Sequence, residues 1–261
     1  MDDTLTAPAL AELMKLAVAA THSVSELILS GFRSPTLKWE RKSDGSVVTP
    51  FDLEAERRIR AFLEAQQTQP WPVLGEELGG DARGARYHWI IDPIDGTLPF
   101  SRGLPTFGTL LALEDTRTQR AVVGVVNLPA LGETYSAARG AGAWCGSERL
   151  NVAKPRELKD CLVSAPVERY PQMKARASGS LPHLRCFADC YAHAMVARGV
   201  LDALAEFRLA RWDIAASQVL IEEAGGTVRI AAAATPGKWD LILGSPAAAA
   251  ALAELVDFAP P

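Results

Sequence analysis

The stretch His88–Thr97, HWIIDPIDGT, decides how this chain is read. Trp89, Ile90 and Ile91 are a β-type apolar run that stops at Asp92. A second acid, Asp95, follows, and then Gly96 and Thr97. An acid closing a strand and an Asp-Gly turn are both ordinary turn chemistry, so this pair alone is also explained locally. Other acids change the weighing. Glu76 and Glu77 follow Val73-Leu74-Gly75, again at the end of an apolar run, and Asp213 stands just after Trp212 at the start of an amphipathic helix. Carboxylates that converge repel one another unless a cation neutralises them. An oxygen-only set suits Mg²⁺ or Mn²⁺ better than zinc. If a helix starts near Thr97, the amides of Gly96 and Thr97 sit at its positive end, where an anion binds. Acids around a cation beside an anion cradle point to phosphate-ester chemistry.

The rest of the chain fits a globular enzyme. Its 261 residues are 48% hydrophobic and 22% charged, enough to bury a large core. A net charge of −4 argues against a nucleic-acid binder, which would carry a basic face. The apolar stretches Ala9–Ala20 and Ala247–Leu255 are too short or too interrupted (Glu12, Lys15) to span a bilayer. No basic leader precedes them, so a cytoplasmic location is expected. The four cysteines, Cys145, Cys161, Cys186 and Cys190, are scattered and expected to be free thiols. Cys186 and Cys190 lack partners at zinc-ligand spacing, which favours core packing over metal binding.

Periodicity predicts one amphipathic helix over 8–32 and a second over 52–66 with Asp52 as its N-cap. Short strands are expected at Val73–Gly75, Trp89–Asp92, Phe107–Leu113, Ala121–Val126, Glu133–Ala138 and Ala143–Cys145. Beyond them come a helix at 189–199, a strand at Leu201–Glu206, a helix at 213–224 stopped by Gly225-Gly226, and a strand at Leu241–Gly244. The alanines at 231–234 read as loop and those at 247–251 as a terminal helix, while 165–180 reads as a surface connection. Helices flanking mostly antiparallel strands on both sides of residue 160 imply layered α+β packing. Two halves, 1–160 with the acid motifs and 161–261 completing the site, would form one compact unit.

Three motifs, GEELGG (75–80), WIIDPIDGT (89–97) and WDIAASQVLIEEAGG (212–226), closely resemble in order and spacing those of the inositol monophosphatase family. KSDGSVVTPFDLEAE (42–56) and VVGVVNLPALGETYSAARGAGAW (122–144) are similar to its upstream segment and central hairpin region. The likeness covers residues 8 to 250. It implies the layered αβαβα sandwich shared with fructose-1,6-bisphosphatase, a homodimer, inhibition by lithium, and hydrolysis of a small-molecule phosphate ester with two to three Mg²⁺ ions. Carried over by motif position, Glu76, Asp92 and the Ile94 carbonyl would hold a first ion, and Asp92, Asp95 and Asp213 a second. Glu76 and Thr97 would position the attacking water, with Asp52 orienting the Thr97 hydroxyl and Gly96 and Thr97 cradling the phosphate. Asp95 and Asp213 would also face the substrate.

The alcohol must be chosen elsewhere. Glu206, seven residues before Asp213, stands where the family places a substrate-contacting acid; otherwise it is an exposed strand-end Glu. DCYAHAMVARG (189–199) and FGTLLAL (107–113) resemble the histidinol-phosphate phosphatase branch, whereas inositol-type members have small residues at the position of Asp189. A carboxylate there suits the ammonium of an amino alcohol, and it also suits an N-cap. Lys42 is either a phosphate partner or a solvated loop lysine, Glu77 a supporting or a solvated acid, and Thr49 a stabiliser of the turn before Asp52. His193 is more simply a core or helix-surface residue than a substrate contact. Leu98-Pro99, where relatives have a polar pair, and Phe187 depart from the family pattern. An inositol-1-phosphatase or broad sugar-phosphate phosphatase is the enzyme alternative, and a regulatory protein keeping the fold is the non-enzymatic one.

Overall fold

The computed structural model describes residues 4–67, 70–166, 183–256 and 258, so the connection read at 165–180 lies, from 167 onward, outside the described residues. Thr6 caps a first helix, α1 (Ala7–His22), whose first turn contains a proline. A second helix, α2 (Ser25–Gly31), follows at once. The single helix predicted over 8–32 is therefore broken. Thr21 and Ser23 return their hydroxyls to Val18 O and Ala20 O, at 3.0 and 2.7 Å, and Ser25 reaches Thr21 O. Such bonds compete with the helical ladder. The apolar period survives the break, because Leu10, Ala17, Ala20, Val24 and Ile28 all pack into one core cluster with Ile59 and Trp89. The 25-residue run Ala7–Gly31 has the length and a mean hydropathy, 1.2, that a membrane span needs. Here its apolar face is already buried against protein.

A small hairpin, β1 (Glu40–Arg41) and β2 (Val47–Val48), was not anticipated. It leads into α3 (Pro50–Gln66), where the N-cap is Thr49 and not Asp52. Asp52 stands three residues into a capping box: Oδ2 accepts the Thr49 amide at 2.8 Å and the Thr49 hydroxyl at 2.5 Å. This reciprocal arrangement satisfies two helix-end donors and buries the acid.

A seven-stranded sheet comes next in the order β3-β4-β5-β6-β7-β8-β9, formed by β3 (Val73–Gly75), β4 (Tyr87–Asp95), β5 (Gly108–Asp115), β6 (Arg120–Leu128), β7 (Glu133–Ala138), β8 (Gly142–Cys145) and β9 (Glu148–Arg149). All neighbours are antiparallel except β3 and β4. A one-turn helix, α4 (Thr97–Ser101), follows β4. The second sheet has five strands, β11-β10-β12-β14-β13, built from β10 (Leu162–Ser164), β11 (His183–Arg185), β12 (Ala203–Leu209), β13 (Thr227–Ala232) and β14 (Trp239–Gly244). β10 and β11 were not expected, and β13 takes up Ala231 and Ala232 from the stretch read as loop. A β-branched, alternating Thr-Val-Arg-Ile leads those alanines into the sheet.

Between the sheets lie α5 (Asp189–Ala197) and α6 (Arg211–Glu223), both packed against strands of each sheet. Helices α1 and α3 cover the outer face of the first sheet, and the terminal helix α7 (Pro246–Leu255) covers the second. The layering is αβαβα, an α+β sandwich. The middle layer holds the larger core, with Ala192, Ala194, Ile214, Ala215 and Val219 against Ile90, Leu110 and Val126. Close approach is needed there. A Cβ on Gly124 would come within 2.4 Å of the Ala216 carbonyl oxygen, so only glycine lets α6 seat on β6.

Candidate metal and phosphate site

Asp92 and Asp95 are three residues apart, and in a regular strand that spacing puts side chains on opposite faces. The pairing of β4 with β5 removes the difficulty. Asp92 faces Leu110 and Asp95 faces Gly108, so three steps on β4 match two on β5. One extra residue is absorbed as a β-bulge, which turns both acids to the same side. The Thr109 hydroxyl bonds to the bulge carbonyl of Pro93 at 2.9 Å. Asp213 arrives from the first turn of α6, where Oδ2 accepts the Ala210 amide at 2.7 Å. It is the third helical residue and not the first, because Arg211 and Trp212 already belong to the helix. The carboxylate oxygens of Asp92, Asp95 and Asp213 lie within 4.8 Å of one another.

Glu76 joins from β3. Gly75 pairs with Ile91, the Glu76 amide donates to Ile91 O at 3.1 Å, and the Glu76 carboxyl lies close enough to Asp92 to raise its pKa. Lys42, between β1 and β2, donates to Glu76 Oε1 at 2.8 Å and Glu77 Oε1 at 2.6 Å, so neither lysine nor Glu77 is merely solvated. Burial opposes the charge on Lys42, yet these two bonds push its ammonium above the usual lysine range. Burial raises Glu77 to about 7. Thr97 Oγ1 is 3.1 Å from Asp52 Oδ1 and 2.9 Å from Ile94 O, and its single proton serves these two acceptors. Gly96 caps α4 at φ 79°, a left-handed conformation that glycine adopts freely.

The electrostatics follow from crowding. Burial, then the charges of Glu76, Asp95 and Asp213, hold Asp92 well above the carboxylate range. Asp95 is raised by burial and then by Asp189 and Asp213. Burial takes Asp213 to about 7 and Asp52 to about 6. Asp92 is only 2% exposed, and its Oδ1 has no hydrogen-bond partner among the described residues. A buried carboxylate oxygen without a donor, at the meeting point of four acids, is what a bound divalent cation would satisfy. The donors are all oxygen, so the residues present fit Mg²⁺ or Mn²⁺.

A second acidic group adjoins the first. Asp189 is not the N-cap of α5: Ala188 takes that place, no side chain caps the helix, and Asp189 itself has φ 61°. Its Oδ2 would lie 3.4 Å from a Cβ on Gly96, so it faces the proposed phosphate cradle. The next amide, of Cys190, donates to Asp95 Oδ2. Glu206 on β12 is 8% exposed and not a solvated strand end. Burial, then the charge of Glu206, raises Asp189 to about 7. No disulfide joins the cysteines, which are all among the described residues; Cys186 is exposed and Cys190 buried. A cleft of about 530 Å³ opens elsewhere, lined by His88, Glu114 and Arg117 at the other end of β4, and none of the site acids lines it.

Sequence reasoning missed Glu56. It is fully buried on α3 and accepts the Glu77 and Leu78 amides, holding the turn that carries Glu76. Its signal was a glutamate on the apolar face of the helix, between Ala55 and Ile59.

A sandwich of this layering with acids at one rim defines a class, and the chain belongs to the inositol monophosphatase family, whose model matches residues 9–260. It is a phosphatase of that family. A histidinol-phosphatase of Chlorobaculum parvum is 34% identical over 222 residues, covering 82% of this chain and 83% of the relative. An inositol-1-monophosphatase of Mesorhizobium japonicum is 34% identical over 201 residues, covering 72% of this chain and 73% of the relative. Among solved structures, the extragenic suppressor protein suhB of Bartonella henselae superposes with a TM-score of 0.84 at 26% identity, covering 95% of this chain and 99% of that one.

Proposed function

We infer that this phosphatase is Mg²⁺-dependent and hydrolyses the phosphate monoester of a small amino alcohol, L-histidinol phosphate before others. The observation that carries the metal dependence is the unpartnered Asp92 Oδ1 among Glu76, Asp95 and Asp213. Glu76, Asp92, Asp95, Asp213 and the Ile94 carbonyl would hold two to three ions, with Mn²⁺ as a substitute. When bound, such ions acidify water and neutralise charge on the phosphoryl and leaving oxygens.

The chain's own groups do the rest. Asp52 Oδ1 fixes the Thr97 hydroxyl, and Thr97 with Glu76 orients the attacking water in line with phosphorus. Gly96 and Thr97 turn backbone amides to the phosphate. Water attacks directly, so no covalent phosphoenzyme forms.

The amine specificity rests on Asp189 and Glu206. No lysine or arginine pairs with either among the described residues; their one basic neighbour is His193. An ammonium on the leaving alcohol would supply the missing cation. The named histidinol-phosphatase relative supports this choice. The inositol-1-monophosphatase relative at equal identity supports the polyol ester as the second reading. A homodimer, lithium inhibition and a cytoplasmic location complete the proposal.

The test is phosphate release from L-histidinol phosphate, inositol 1-phosphate and adenosine 3′,5′-bisphosphate, each with Mg²⁺ and with chelator. Histidinol phosphate should give the highest kcat/KM, and chelator should abolish all turnover. Equal rates on all three esters would remove the amino-alcohol assignment. Turnover in chelator would remove the metal dependence.

A further inference from the structure

His193 is 1% exposed in the middle of α5, and both of its ring nitrogens are engaged. Nε2 lies 2.7 Å from Glu206 Oε2 on β12, and Nδ1 lies 2.7 Å from the Ser217 hydroxyl on α6. A carboxylate can only accept, so Nε2 donates to Glu206, and the Ser217 hydroxyl, which can donate or accept, completes the contact at Nδ1. The other oxygen of Glu206, Oε1, accepts the Asp189 amide at 3.0 Å. Glu206 is thus gripped at both oxygens by α5. One grip is the imidazole, and the other is the backbone of the residue whose left-handed φ turns it toward Gly96. The ring joins three elements, and one of them, α6, also delivers Asp213.

We propose that His193 is a positioning residue for substrate selection: it fixes the Glu206 carboxylate, and through the Asp189 amide the Asp189 turn, in the orientation that accepts a cationic amine on the leaving alcohol. This rests on the amino-alcohol reading above. The imidazole need not touch the substrate. With a hydrophobic residue in its place, Glu206 Oε2 loses its charge-assisted donor, and the carboxylate is free to rotate away from the amine. A hydrogen bond to a charged group is worth about tenfold or more in binding. The loss should fall mainly on the amine-bearing ester, because the bonds of His193 go to Glu206 and Ser217 and not to Gly96, Thr97 or Glu76, which place the phosphate and the water.

The discriminating pair is L-histidinol phosphate and 3-(imidazol-4-yl)propyl phosphate, the same ester without the amine. In His193→Met, KM for the amine ester should rise about tenfold with kcat nearly unchanged, and KM for the desamino ester should move less than about twofold. His193→Gln, whose amide nitrogen can replace the Nε2 donor, should recover most of the loss. Should the Met variant fold poorly, Ser217→Ala, which loosens the ring without removing it, should shift KM in the same direction by less. Wild-type enzyme that prefers the amine ester, with a Met variant that keeps the full preference or loses both esters alike, overturns the role of His193 alone. Wild-type enzyme that shows no preference between the two esters overturns the amino-alcohol reading, and this inference with it.

Discussion

The two ends of the site are built differently. At the metal end, Asp92 and Asp95 share one strand, Glu76 sits on its paired neighbour, and a bulge and a parallel register bring them together. At the leaving-group end, Asp189, His193 and Glu206 meet only because α5, α6 and β12 pack face to face. The first is assembled largely by chain geometry around β4, with Asp213 brought in on α6, and the second by tertiary packing alone. Damage to one end should therefore leave the other measurable.

Asp95→Asn should have the largest effect. It removes one charge from the acid set and should cost several kcal/mol of transition-state stabilisation, about a thousandfold in kcat. The circular dichroism spectrum should not change, and calorimetric Mg²⁺ binding should weaken. Normal turnover in this variant would break the metal assignment.

Asp189→Asn acts at the other end. KM for histidinol phosphate should rise by about tenfold to a hundredfold, the worth of a charge-assisted pair, while inositol 1-phosphate hydrolysis is retained. Equal losses on both esters would erase the distinction between the two ends.

Gly124→Ala tests the helix that serves both. The added methyl meets the Ala216 carbonyl, so overpacking should destabilise the fold by about 1–3 kcal/mol and lower Tm. Both esters should suffer in proportion, since α6 carries Asp213 and Ser217 alike. A selective loss would show that the ends move independently of α6.

The smallest effect concerns pH. Burial lifts Asp52 to about 6 and Asp213, Asp189 and Glu77 to about 7, above ordinary carboxyls. The metal-free fold therefore binds more protons than the unfolded chain. What these four groups contribute to stability is fully present below about pH 4 and is lost as pH rises through these values. In chelator, Tm should be a few degrees lower at pH 8 than at pH 6, and Mg²⁺ should restore more at pH 8. A Tm that climbs with pH in chelator would contradict the crowding of acids.

The contrast between the two ends also explains what the sequence disclosed. Val73–Gly75 and Glu133–Ala138 are strands with the bounds read from pattern, because alternation and turn residues are local. Glu76 and Asp92 were legible because each follows an apolar run, and Asp213 because it stands in the first turn of an amphipathic helix. Asp52 is not the helix cap, since Thr49 before Pro50 fills that place, but the expected contact with the Thr97 hydroxyl is there at 3.1 Å. His193 was read as a simpler core residue. Its partners Glu206 and Ser217 lie 13 and 24 residues away on other elements, and no spacing rule reaches them. The split of the first helix was hidden for a related reason, because hydroxyls broke the ladder without interrupting the apolar stripe.

The extra residue in β4 makes the strand sensitive to its length as well as to its side chains. In a flat strand no substitution can put side chains three residues apart on one face, because exchanging residues leaves their alternation intact. Deleting Ile94 would leave the acids two residues apart and still on one face, but it would remove the carbonyl that accepts the Thr97 hydroxyl and the bend that the extra residue puts into the strand.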